Sequence, residues 1–113
     1  MTSSSQPVDL ATLQALFGDD HGLRLSILDE FCATTELYLS EFEAASTITA
    51  VGAVAHKLKS SARTVGANDL ADICAGLEAA AKSGQQSVVD QLVPRLAPEI
   101  KKVSAFVASL PRT

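Results

Sequence analysis

The chain has 113 residues, 47% of them apolar but only 4% aromatic, with no tryptophan and a net charge of −4. That length makes one domain with a single core, and a composition rich in Ala and Leu suits packed helices rather than a sheet, which draws on β-branched and aromatic residues. The acidic balance excludes generic nucleic-acid binding, which needs a broad cationic surface, and no run approaches the roughly 20 apolar residues of a membrane span.

The opening residues, with three consecutive serines at Ser3, Ser4 and Ser5, read as a tail. Residues 1–8 are expected to be disordered and 9–110 to form the folded domain. The start carries neither cationic residues nor an apolar stretch, so no signal peptide is expected and the expected location is the cytoplasm. The initiating Met and the self-contained length favour a free-standing protein. Asp9 is placed to cap a short helix that runs through Phe17 and stops at Gly18. Asp19 and Asp20 favour the start of a second, longer helix, where carboxylates oppose the macrodipole. Its apolar residues Leu23, Ile27, Leu28, Phe31, Tyr38 and Phe42 keep a helical period to about Ala45. His21, beside Gly22 at the start of that helix, reads as exposed and structurally idle.

Thr47 or Thr49 is placed to cap a third helix that ends at Gly66. Val51, Ala55, Leu58, Ala62 and Val65 recur at alternating intervals of four and three and define its buried face. His56, Lys59, Ser60 and Arg63 fall at i, i+3, i+4 and i+7 and share another face, so the histidine points away from the core. Lys57, Lys59 and Arg63 make this a basic strip in an acidic chain. Asn68 is placed to cap a fourth helix with Leu70, Ile73, Cys74, Leu77 and Ala81 as its stripe and Gly84 as its stop. In the last segment, Ser87–Leu110, Pro94 and Pro98 would each remove an intrahelical bond. Yet Val89, Leu92, Leu96, Val103, Phe106 and Leu110 stay in phase through both prolines, which predicts one kinked helix or two short ones nearly in line. The sum is an all-α antiparallel four-helix bundle preceded by a short N-terminal helix.

Motif searches remove most chemistry. There is no G-x-x-x-x-G-K-[ST], no G-x-G-x-x-G, no H-E-x-x-H and no G-x-S-x-G. Ala53 and Gly18 stand three residues before the two histidines, so the Glu-x-x-His of di-iron bundles is absent. Cys32 and Cys74 match neither zinc nor C-x-x-C spacing and read as buried free thiols. What remains is His56. A neutral imidazole is a good nucleophile toward phosphorus, and an ordinary histidine pKa near ~6.5 leaves much of it uncharged at cellular pH. The flanking cations, Lys59 foremost, would stabilise a phosphoryl group once attached. On these residues alone, a phosphate-accepting histidine and an idle surface histidine both stand.

Residues 55–78 carry a more specific pattern. Ala55-His56-Lys57-Leu58-Lys59-Ser60-Ser61-Ala62, then Gly66-Ala67, a spaced Leu and Leu77-Glu78, resemble the signature of histidine-containing phosphotransfer (HPt) domains of two-component phosphorelays, A-H-x-L-K-G-S/A-A with G-A and L-E beyond it. The resemblance implies that His56 is phosphorylated on Nε2, that Lys59 contacts the phosphoryl group, and that Glu78 holds the other ring nitrogen, as Gln or Glu does in the family. It implies response-regulator receiver domains and a sensor or hybrid histidine kinase as partners, met through Lys57, Ser60, Arg63 and apolar residues of the second helix. The Mg²⁺ belongs to the partner receiver, so no cofactor is expected in this chain, and a monomeric phosphoryl carrier is expected rather than an autonomous kinase. Neither nucleic acid nor a membrane is an expected partner. Ser60 departs from the family, which usually has Gly one turn after the histidine to admit the receiver. The rival reading is a helical adaptor that keeps the fold and carries no phosphate.

Overall fold

The first three helices begin where a side chain can satisfy one of their first amides. In a computed structural model, which describes residues 6–112, Asp9 accepts from the Ala11 amide and opens α1 (Leu10–Phe17). Asp20 accepts from the Leu23 amide to open α2 (His21–Ala44), and Thr47, not Thr49, accepts from the Ala50 amide to open α3 (Ile48–Val65). Only the fourth start departs from the sequence reading. Ala67 occupies the cap of α4 (Asn68–Lys82) with no side-chain bond, and Asn68 is already helical. The reason is the turn before it. Gly66 takes the left-handed conformation at φ 81°, and Ala67 is fully buried with its amide bonded to the Ala62 carbonyl. The turn closes so tightly that a small residue is required where a polar cap would otherwise sit.

The last segment is two helices nearly in phase, α5 (Gln86–Leu92) and α6 (Leu96–Ala108), joined by a 3₁₀ turn at Val93–Arg95. Pro94 lies in that turn. Pro98 lies in the first turn of α6, where backbone amides have no intrahelical partner to lose. Both prolines are thus accommodated without breaking the stripe. Ile100 and Val107 join Val103 as its buried residues.

The short connections at 45–47, 66–67 and 83–85 return each helix alongside its predecessor, giving the antiparallel bundle. α3 packs most extensively on α4, with α2 against α3 and α6. Leu13, Leu28, Leu58, Leu70, Leu77 and Leu96 are completely buried, each stabilising the fold by roughly 1.5–3 kcal/mol. On α2 the inward residues are Leu25, Leu28, Phe31, Thr35 and Phe42, whereas Leu23 lies outside, 44% exposed. α1 is fastened to the far end of α3, where the Asp9 amide donates to the Gly66 carbonyl at 2.8 Å. A β-carbon at Gly66 would lie 2.5 Å from the Asp9 carbonyl oxygen, so glycine is required for the approach as well as for φ.

Three expectations change in detail. Val8 is fully buried, so the core takes one residue from the tail expected over 1–8; residues 1–5 of that tail lie outside the described residues. Cys74 is buried, and burial pushes its thiol up to about 12, whereas Cys32 is only half-buried. His21 is not idle, because its Nε2 lies 2.7 Å from the Pro111 carbonyl oxygen, holding the end of the chain against α2. Among the described residues, no helix is long and apolar enough to cross a membrane.

Candidate functional site

α3 buries Val51, Ala55, Leu58, Ala62 and Val65, which turns His56 outward with 63% of its side chain exposed. The approach of α4 is set one turn earlier. Gly52 faces Ala81 so closely that a β-carbon on the glycine would meet the Ala81 methyl at 2.7 Å. In an antiparallel pair, four residues forward on α3 corresponds to three back on α4, and that step brings His56 level with Glu78.

Glu78 divides its carboxylate between two partners. Oε2 lies 2.8 Å from His56 Nδ1, and Oε1 accepts from Lys59 Nζ at 2.5 Å. The Lys59 hydrogen bond first, and the His56 bond second, hold the Glu78 carboxyl below the usual carboxylate range. Glu78 is therefore ionised at neutral pH and can only accept, so the proton of a neutral His56 ring resides on Nδ1. The Nε2 lone pair is left facing solvent. This arrangement can present a nucleophilic nitrogen of fixed tautomer and orientation, with a cation one turn away.

The other sequence-designated residues separate. Lys59 is only 20% exposed and is engaged by Glu78. Lys57 turns toward α2, where Nζ reaches Glu41 at 3.1 Å and lies 5.8 Å from the centre of the Tyr38 ring. Ser60 is exposed and its hydroxyl donates at 3.4 Å to the His56 carbonyl, a long back-bond within the helix. Arg63 is exposed on the strip. Beside His56, an open groove of about 730 Å³ runs between α3 and α4, lined by Thr49, Gly52, Ala53, Ala81 and Lys82 along with His56, Lys57 and Glu78. Sequence reasoning missed this concavity and Lys82 with it. The available signals were a glycine inside a helix one turn before the histidine, and a lysine one turn beyond Glu78 on the same face. Among the described residues no group of three or more His, Cys, Asp or Glu side chains is assembled that could hold a metal ion.

Comparisons with known proteins bear on the family and the fold. A profile of the Hpt domain family matches residues 26–106. Among solved structures, the chain is similar to the crystal structure of histidine-containing phosphotransfer protein B (HptB) from Pseudomonas aeruginosa PAO1, at 27% identity and a TM-score of 0.79, over 93% of this chain and 94% of that one. Comparison with curated proteins finds no match.

Proposed function

We propose, from the premise that this chain belongs to the Hpt domain family and is a histidine phosphotransfer protein of a phosphorelay, that His56 is its phosphoacceptor. The observation that carries the assignment is the Glu78 carboxylate on Nδ1, which directs the Nε2 lone pair outward. In the transfer, Nε2 attacks the phosphorus of a receiver's aspartyl phosphate. A P–N bond forms while the P–O bond to the aspartate breaks and returns its carboxylate; the reverse step loads a second receiver. Glu78 keeps the Nδ1 proton in place and supports the positive charge that the ring takes on when phosphorylated. Lys59 is a positioning residue at rest and a phosphate partner when loaded, exchanging one anionic oxygen for another.

Partners are receiver domains and a histidine kinase that supplies the relay. The receiver brings the Mg²⁺ and the acidic pocket, so the work of this chain is alignment and charge stabilisation. Docking brings the receiver over the exposed ring of His56, with Ser60 one turn away on the same helix. Ser60 is small enough to leave that approach open.

The direct test is incubation with a phosphorylated receiver domain followed by chemical analysis of the label. Wild type should acquire an acid-labile, base-stable phosphoryl group that His56→Ala does not. Label that survives acid, or label that persists on His56→Ala, rejects the assignment.

A further inference from the structure

The cations around His56 are not equivalent. Lys59 is engaged by Glu78 and Lys57 by Glu41, whereas Lys82 and Arg63 are exposed and form no ion pair among the described residues. These two lie on opposite sides of the histidine. Lys82 stands one turn past Glu78 on α4 and lines the same groove as His56; Arg63 lies two turns along α3, outside that groove. The groove extends from His56 toward Thr49, and its floor of Gly52, Ala53 and Ala81 carries no side chain longer than a methyl group. A convex protein surface can settle there without displacing anything, and the uncommitted ammonium at the rim needs no existing partner removed.

Resting on the phosphotransfer reading above, we propose that a receiver domain docks along the α3–α4 groove on the Thr49 side of His56, with Lys82 meeting the acidic rim of its phosphorylation pocket and Arg63 peripheral. Charge complementarity selects this occupant. With a net charge of −4 the chain repels polyanions at long range, so one cation beside a shaped concavity favours a partner whose acids are confined to a small pocket. An unpaired cation at such a rim acts mainly on encounter and is screened by salt.

The test is a titration of purified receiver domains from the source genome against wild type, Lys82→Glu and Arg63→Glu. For a receiver that binds wild type, Lys82→Glu should lose roughly five- to tenfold in affinity at low salt and Arg63→Glu less than about twofold. The Lys82→Glu loss should shrink at about 1 M salt, where the screening length is about 3 Å. Lys82→Gln, which removes the charge without reversing it, should fall between wild type and Lys82→Glu. Melting temperatures recorded alongside separate docking from folding. Wild-type affinity in Lys82→Glu, whether or not its melting temperature falls, overturns the proposal, as does an equal or larger loss in Arg63→Glu or failure of every receiver to bind wild type. Affinity is read without phosphate, so absence of phosphohistidine on wild type rejects the carrier reading while the ranking of the variants still decides the docking.

Discussion

At the scale of single residues, the site turns on how one carboxylate serves two partners. Glu78 meets the ring of His56 through one oxygen and the ammonium of Lys59 through the other, with only 15% of its side chain exposed. Glu78→Gln keeps the size and an acceptor for Nδ1 but removes the charge, and should slow phosphotransfer roughly tenfold, as loss of an outer-shell partner does at other oriented histidines. Its pH dependence has a definite sign. The folded-state carboxyl titrates below the ordinary range because Lys59, then His56, bonds to the anion. Its contribution to stability is therefore fully present above the ordinary carboxylate pKa and drains away as pH falls through the depressed value. Urea midpoints should show wild type ahead of Glu78→Gln at neutral pH and the gap narrowing progressively as the pH is lowered through and below the ordinary carboxylate range. A gap that persists unchanged into acid would mean that the pair adds packing and not charge. The motif placed these three residues together, but it could not show that Lys59 is held by Glu78 in the resting protein, because both lysine contacts, carboxylate and phosphate, suit the same position.

At the scale of helices, the reach from His56 to Glu78 depends on how closely α3 approaches α4. Gly52 and Ala81 set that spacing, since a β-carbon at Gly52 would lie 2.7 Å from the Ala81 methyl. Gly52→Ala improves helix propensity by up to about 1 kcal/mol, yet the overlap forces the helices apart at a cost of roughly 1–3 kcal/mol. The expected outcome is a net loss of stability with slower phosphotransfer, because the His56–Glu78 bond lies one turn from the wedge. Adding Ala81→Gly should restore the transfer rate. Recovery of the rate without full recovery of the melting temperature would identify spacing as the cause, while failure to recover would assign the defect elsewhere. Element boundaries were largely legible because each signal was local: Asp9, Asp20 and Thr47 accept from amides two or three residues on. The start of α4 was not, because Ala67 is selected by burial in a turn whose packing depends on distant residues. The groove escaped for a related reason. It exists between two helices, and neither helix alone contains it.

At the scale of the whole molecule, the chemistry and the closure of the bundle are separated. α3 carries His56 near its middle, while the chain is gathered at the end where α2 begins and α6 finishes. There His21 Nε2 meets the Pro111 carbonyl at 2.7 Å, and Arg112 bridges Asp29 at 2.8 Å and the Val107 carbonyl at 3.3 Å. None of this was readable from sequence, since His21 and Pro111 stand 90 residues apart and no periodicity links them. Two of these bonds are solvent-exposed and the third, to the Val107 carbonyl, is partly buried, so together they pin the C-terminal segment without holding the core. The double variant His21→Ala/Arg112→Ala should therefore melt several degrees lower, by roughly 4–8 °C per kcal/mol lost in a domain near this size. Its amides at Ser109, Leu110 and Arg112 should exchange faster with solvent. Its phosphotransfer rate at a temperature well below melting should match wild type, because neither residue borders the groove or the His56–Glu78–Lys59 set. A fall in transfer rate without a fall in stability would show that the clasp shapes the α3–α4 face from a distance, and would make the whole bundle, rather than one pair of its helices, the unit that positions the histidine.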